Sequence, residues 1–343
     1  MKALRWPACV IAVLLLAVGC RPGGPQNAPP PHPNILVIIT DDQRPTGTMD
    51  VMPQTRSWFE NEGTTYPHGY VTTPVCCPSR ASIFSGLYVH NHGVRTNEDA
   101  EKLAPEHLLQ TYLQGAGYRT SIVGKYLVHP GPYDDPQNAG IDPPHFDDWR
   151  TFLGGYRPTL FNVNGELETV DEYATTYIAD SASELLNDYE SSDAQPWFLY
   201  VAPFAPHYPW VPGPKYKDAT LPEWDVPPSV SDPSSAGKPP WVERAKVPFK
   251  RAVLARNHQL RTLMSVDDLV ERVMGEAQEL GELDDTLVFY LSDNGYHWGE
   301  HGLGEKSSPY VESIGVPFYA RWPGHLDAGA TDNRLAANID IAP

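Results

Sequence analysis

The sequence predicts an α/β domain, a doubly wound and mostly parallel sheet with helices on both faces. Three observations lead there. Several apolar runs are continuous rather than alternating, as in strands buried on both faces. Helical patterns lie between them, as βαβ crossovers require. The 343 residues are enough for one large domain or two modest ones.

Taken in order, Asn34-Ile-Leu-Val-Ile-Ile-Thr40 opens the sheet and ends in Asp41-Asp42. Helical spacing follows at Gln54 to Asn61, at Ser79 to Leu87 and at Glu106 to Ala116. Arg119 to Val123 is a short strand. Glu172 to Tyr189 reads as a helix and leads into the strand Trp197-Phe-Leu-Tyr-Val201. The longest helical pattern runs from about Phe249 to Leu280, with an apolar face through Leu254, Leu263, Val266 and Val270. Its charges, Asp267 and Asp268 among them, then belong to a solvated outer face. Thr286-Leu-Val-Phe-Tyr-Leu-Ser292 is a second apolar strand, ending in Asp293-Asn294-Gly295, and Val316 to Ala320 is the last. Two stretches break the rhythm. Residues 129–165 are rich in Pro, Gly and aromatics, and residues 203–248 are strongly Pro-rich. Loops this long are commonly functional or disordered. An element starts at Asn338 just before the sequence stops, so the expected domain, residues 34–343, is incomplete at its C-terminus.

Residues 1–20 read as an export signal. Lys2 and Arg5 precede a short apolar core, Val10 to Val18, and small residues lead to Cys20. The run is too short to span a bilayer. Ala17-Val18-Gly19-Cys20 resembles a bacterial lipobox, which would make Cys20 a lipidated first residue, although a larger aliphatic residue is usual at Ala17. The other reading is an ordinary cleaved signal. Residues 21–33, rich in Pro and Gly, read as a tether. The expectation is an exported protein, either a bacterial cell-envelope lipoprotein or a secreted one.

The formal net charge of −18 argues against nucleic acid and against an anionic membrane surface as partners. Membrane attachment would run through Cys20 alone. A small anionic substrate remains open, because a cluster of Lys, Arg and metal inverts the field inside one cleft. Cys9 and Cys20 belong to the leader, which leaves Cys76 and Cys77 in the body. Sequence neighbours rarely pair, so no internal disulfide framework is expected.

Asp41-Asp42 and Asp293-Asn294 each follow directly on a buried strand. Ligands of open parallel sheets bind outside the carboxyl ends of the strands. Three carboxylates and an amide oxygen meeting there suit a hard divalent cation, Ca2+ or Mg2+. Turn chemistry explains either pair alone, and the recurrence at two strand ends favours metal. Cys76-Cys77-Pro78-Ser79-Arg80 carries the second signal. Pro78 or Ser79 could open a helix, leaving Cys76 just ahead of an N-terminus that favours negative charge. Arg80 would lie one turn in, close enough to hold an anion. The plain alternative is a small buried thiol pair.

Cys-x-Pro-Ser-Arg resembles the signature of the type I sulfatases, and the match extends through Ala81-Ser82 to Ser85-Gly86. In that family the cysteine is oxidised to formylglycine, which Cys76 fits. Asp41, Asp42, Asp293 and Asn294 match the family's calcium ligands, with Cys76 as formylglycine completing the set. Lys125, His207 and Lys306 match its two active-site lysines and a sulfate-contacting histidine. Many relatives have a histidine where this chain has Leu127; His129 is the nearest substitute, and an ordinary loop histidine is the alternative. Gly-Lys-Tyr-Leu and Ala-Pro-His-Tyr-Pro-Trp are similar to the N-acetylglucosamine-6-sulfatase branch.

The resemblance implies an alkaline-phosphatase-like fold with a smaller C-terminal sheet region, here apparently truncated. It also implies a Ca2+ or Mg2+ cofactor and a formylglycine-generating or other sulfatase-maturing enzyme as partner. The reaction it implies is hydrolysis of sulfate esters on a sulfated carbohydrate such as N-acetylglucosamine 6-sulfate, or on an aryl sulfate. A formylglycine hydrate bound to the cation would be the nucleophile. Arg80, Lys125 and Lys306 would neutralise the transferring group and His207 would protonate the leaving oxygen. Two other readings stay open: a phosphonate monoester or phosphodiester hydrolase on the same scaffold, and a non-catalytic binding protein or inactive fragment. Packing roles are expected for His90 and His92 and for most of the five tryptophans between Trp149 and Trp241, while His297 and His301 are candidates to line the sugar pocket.

Overall fold

Thr40 sits opposite Ser292 because two strands 252 positions apart in the chain pair in parallel along their whole length. That pairing is the centre of a ten-stranded sheet in a computed structural model, which describes residues 32–127, 142–191, 195–231 and 236–342. In chain order the strands are β1 (Asn34–Thr40), β2 (Thr64–Thr65), β3 (Arg119–Gly124), β4 (Asp148–Gly154), β5 (Thr159–Val163), β6 (Glu166–Val170), β7 (Trp197–Ala202), β8 (Thr286–Ser292), β9 (Phe318–Arg321) and β10 (Ala330–Thr331). Side by side they run β10-β2-β9-β8-β1-β7-β3-β4-β5-β6. The central five, from β8 to β4, are parallel, and antiparallel strands flank them on both sides.

The helices that matter here are α1 (Cys76–Ser85), α2 (Leu109–Gly115), α3 (Ala174–Glu190) and α4 (Phe249–Glu279). Successive side chains of β1 alternate between two cores. Leu36 and Ile38 pack with Ile178 and Leu185 of α3 and with Leu263, Val266 and Val270 of α4. Val37 and Ile39 pack with Ile83 and Phe84 of α1 on the other face. Each such fully buried side chain contributes about 1.5–3 kcal/mol over its exposed state. Both faces are thus covered, and polar chemistry is left to the strand ends. Among the described residues no helix is long and apolar enough to cross a membrane.

Several expectations need correction. Residues 129–165 are not one loop: β4 and β5 form a hairpin there, and β5 turns into β6 through Asn164-Gly165, both with positive φ (49° and 92°). The last expected strand begins at Phe318, past Pro317, and runs antiparallel to β8. Pro317 has no N–H to give to a ladder. α1 begins at Cys76 itself, with Val75 as its extended N-cap; the Ser79 N–H already donates to Val75 O at 2.9 Å. Pro78 therefore sits inside the first turn, where its missing N–H is one of the helix's orphans anyway. Asp267 is buried rather than solvated. It accepts from the Thr55 N–H (2.7 Å), the Thr55 hydroxyl (2.8 Å) and the Gln54 N–H, capping the short Pro53–Arg56 helix from across the fold. Leu254 is half exposed and lies off the apolar face of α4. His92 is a packing residue, bonded to Ser82 Oγ at 3.1 Å, and His90 stacks on Tyr88.

Candidate active site

The described catalytic and metal-ligand candidates lie at the carboxyl ends of parallel strands or are brought there by α1 and by loops. Asp41 and Asp42 leave β1, Lys125 leaves β3, the His207 segment follows β7, and Asp293-Asn294 leave β8. The register that puts Thr40 beside Ser292 brings the two acidic pairs together: the Asp293 N–H donates to Thr40 O at 3.0 Å, and the Asp42 N–H to Asp293 Oδ1 at 3.3 Å. Asp42 has a φ of 73°, in the left-handed region, so the chain turns sharply as it leaves the sheet.

Arg80 crosses the floor of the site. Its Nε donates to Asp293 Oδ2 at 2.8 Å and its Nη1 to Lys125 O at 2.6 Å, and no part of it reaches solvent. Lys125 pairs with Asp41 Oδ2. Lys306 pairs with Asp42 Oδ1, lies 3.9 Å from Asp41 Oδ1 and reaches Cys76 Sγ at 2.6 Å. Glu305 and Ser307, on either side of Lys306, both have positive φ (64° and 70°). Lys306 follows a two-stranded hairpin in which His297–Trp298 pairs antiparallel with Gly304–Glu305. The Ser307 N–H donates to Pro74 O at 3.2 Å, which docks this hairpin beside the Cys76 turn. Cys76 Sγ donates to Asp41 Oδ1 at 3.4 Å. His207 Nε2 lies 3.8 Å from Asp42 Oδ2.

Burial and the nearby Asp41 push the Cys76 thiol up to about 12 against the pull of Lys125 and Lys306, so the encoded side chain is a neutral thiol and a weak nucleophile. Burial also acts to raise Asp41, but Lys125, His207, Lys306 and Arg80 outweigh it and hold the carboxyl well below the usual range. Asp293 takes the opposite displacement: burial and repulsion from Asp41 push it up to about 6 despite Arg80. Burial lowers His207, although Asp41 and Asp42 oppose it. Its Nδ1 faces Tyr208 O at 2.6 Å, and a carbonyl only accepts, so the neutral ring carries its proton there. Nε2 then holds a lone pair, and donation from it requires the imidazolium.

The residues fit a hard divalent cation. One ligand atom each of Asp41, Asp42, Cys76 and His207 lies within 4.8 Å of the others. Asn294 Oδ1 is buried with no hydrogen-bond partner among the described residues, while its Nδ2 donates to Asp42 Oδ1 at 2.7 Å. An orphaned amide oxygen beside carboxylates is a donor set suited to a hard cation. Asp293 fits less directly, since one of its oxygens is committed to Arg80. His129 lies outside the described residues, as do Cys20 and residues 1–31 of the expected leader and tether. His297 does not line the site: it is buried, and its Nε2 meets Ser308 Oγ at 2.7 Å. The sequence reading passed over Gln43, whose N–H reaches Ser292 Oγ at 2.9 Å and whose amide oxygen accepts from Tyr290 OH at 2.7 Å beneath the acidic pair.

A family profile described as Sulfatase matches residues 33–343. The chain belongs to the sulfatase family. Among curated proteins, the extracellular sulfatase SULF-1 homolog of Drosophila melanogaster is 35% identical over 340 residues, covering 91% of this chain and 29% of that protein. N-acetylglucosamine-6-sulfatase of Homo sapiens is 32% identical over 362 aligned residues, covering 98% of this chain and 65% of that protein. The alignments thus span less than two thirds of these relatives' own lengths. A solved structure of BT4656 in complex with its substrate D-glucosamine-2-N,6-O-disulfate shares the fold, with a TM-score of 0.77 at 23% identity over 91% of this chain and 75% of that one. The alkaline-phosphatase-like architecture expected from the motifs is the one observed, and the similarity to N-acetylglucosamine-6-sulfatases holds over nearly the whole chain.

Proposed function

We propose that this sulfatase-family chain hydrolyses sulfate esters, with 6-sulfated amino sugars of larger glycans as its substrate class. One observation carries the reading: Cys76 is clasped between Lys306 and Asp41 at the mouth of α1, with Arg80, Lys125 and His207 around it. Relatives named for N-acetylglucosamine 6-sulfate support the substrate class, and relatives named extracellular support export through the N-terminal leader.

Asp41, Asp42, Asp293 and Asn294 would hold Ca2+ or Mg2+, and Cys76 would be converted to formylglycine by a sulfatase-maturing enzyme. Together these groups supply a hydroxyl nucleophile of lowered pKa and a carbonyl that can re-form when sulfate departs. The protein's own residues do the rest. Three carboxylates (Asp41, Asp42, Asp293) face three cations (Arg80, Lys125, Lys306), so the charge of an incoming sulfate calls for the further positive charge of the metal. Arg80 Nη2 is buried with no hydrogen-bond partner among the described residues and is the free donor for a sulfate oxygen. Lys125 and Lys306 hold positive charge where it builds up on the transferring group. His207, as the imidazolium, protonates the departing alcohol from Nε2.

The direct test is mass spectrometry of the Cys76 peptide from protein made in a host with a sulfatase-maturing enzyme, paired with sulfate release from N-acetylglucosamine 6-sulfate. Aldehyde at position 76 and sulfate release are expected. A fully converted protein that hydrolyses neither this sugar nor an aryl sulfate would remove the reading. Lys306→Ala should lower kcat by about 10²- to 10³-fold, as loss of one preorganised charge does, with an unchanged circular dichroism spectrum. Near wild-type turnover in that variant would take Lys306 out of the mechanism.

A further inference from the structure

One polar side chain of α4 bonds to three of the segments that build the site. Gln259 is buried, on a helix whose neighbouring inward positions include Ala255, Leu260 and Leu263. Its amide oxygen accepts from Trp298 Nε1 at 2.6 Å. Its amide nitrogen donates to Asp42 O and to Pro206 O, each at 3.4 Å. The three partners belong to the Asp42 turn, the His207 segment and the hairpin that presents Lys306. A buried amide costs desolvation unless both ends are bonded, and here both are.

The surroundings fit the same role. The left-handed turn at Asp42 takes its carbonyl out of the strand ladder, and Gln259 meets that carbonyl. The next residue back, His258, faces Trp210 O through Nδ1 at 3.1 Å, so α4 grips the His207 segment at two points. On the hairpin, Trp298 is fixed from its other side. The Arg44 guanidinium lies 4.4 Å from the Trp298 ring and pairs with Glu300 at 2.6 Å, and Glu300 Oε2 accepts the Trp298 N–H at 2.6 Å.

We infer that Gln259 is a positioning residue which locks the His207 segment and the Lys306 hairpin onto the Asp42 turn, setting the distances between the metal-side carboxylate, the histidine and the lysine. The inference rests on the sulfatase reading for its catalytic consequence and on geometry alone for its structural one. A displacement of about 1 Å among such groups is worth about 100-fold in rate.

The test uses the full chain, matured at Cys76, as wild type and as Gln259→Met and Trp298→Phe. Met keeps the length and volume of Gln and removes both hydrogen-bonding ends; Phe removes the indole N–H together with part of the ring and stays aromatic. Peptide-resolved hydrogen exchange of Gln259→Met should show faster exchange in both 203–210 and 296–308, with α3 and β7 unchanged. Trp298→Phe should loosen 296–308 and leave 203–210 protected. On aryl sulfate, Gln259→Met should lose about 10- to 100-fold in kcat with KM within about threefold. Wild-type exchange in both segments of a folded Gln259→Met protein would overturn the inference, as would a kcat within twofold of wild type. If Gln259→Met does not fold, Trp298→Phe decides, and unchanged exchange at 296–308 overturns it. A wild-type protein without sulfatase activity refutes the proposed function, while the exchange arm still decides the positioning.

Discussion

Cys76→Ala is expected to remove turnover altogether, with kcat at least about 10⁴-fold below that of the matured wild type. The side chain stands alone in its position. It is buried, it contacts both Lys306 and Asp41, and Cys77 faces a different environment in the apolar core behind α1. The unconverted thiol is a poor substitute, since burial keeps it neutral at ordinary pH. Ala removes one sulfur from the first turn of a helix that many other contacts hold, so thermal stability should change by only a few degrees. Activity assays on variant and wild type from the same maturing host check this, with melting curves alongside. A Cys76→Ala protein retaining a tenth of wild-type kcat would mean that another group is the nucleophile.

Arg80→Leu is expected to damage stability as severely as chemistry. Arg80 and Asp293 are both fully buried and meet at 2.8 Å. Removing the guanidinium leaves a buried carboxylate that already lies close to Asp41, and breaking such a pair costs about 3–5 kcal/mol. In a domain this size that corresponds to a fall in Tm on the order of 10 °C. The double variant Arg80→Leu/Asp293→Leu removes both charges and should recover most of the stability. It should stay inactive, because the donor for sulfate and a candidate metal ligand are both gone. Chemical denaturation of the three proteins measures the effect. A single variant less than about 1 kcal/mol below wild type would show that the pair matters little to the fold.

The parts of the fold that announce themselves in sequence are those with one dominant physical demand. β1 and β8 must be apolar on both faces, and their ends fall where the apolar runs give way to Asp41 and Asp293. Asp41-Asp42, Asp293-Asn294 and the Cys76–Arg80 stretch were legible from residue type and place at strand ends or ahead of a helix, whereas Lys125, His207 and Lys306 were legible only through the family resemblance. The β4–β6 hairpins were not read, because aromatics, Gly and Pro dominate the stretch; the available signal was Asn164-Gly165, a pair suited to a tight turn with two positive φ values. Asp267 and Gln259 were missed for a different reason. Both are polar positions on a long amphipathic helix, and nothing local separates a solvated carboxylate or amide from one whose partners are some 200 positions away. His129 illustrates a third case, in which a family resemblance leaves a position open that the described residues do not include.

The parallel pairing of β1 with β8 also sets a clock. The carboxyl side of the site cannot close until residues 286–292 exist, long after Cys76 has left the ribosome. At roughly 5–20 residues per second the intervening chain takes about 10–40 s to make. During that interval the strand destined to lie beside β1 is absent, and the turn bearing Cys76 lacks the Lys306 hairpin that later covers it. In the finished fold Cys76 is 1% exposed. If Cys76 is converted as proposed, the maturing enzyme would work against a deadline, and slowing synthesis between residues 80 and 286 should raise the converted fraction.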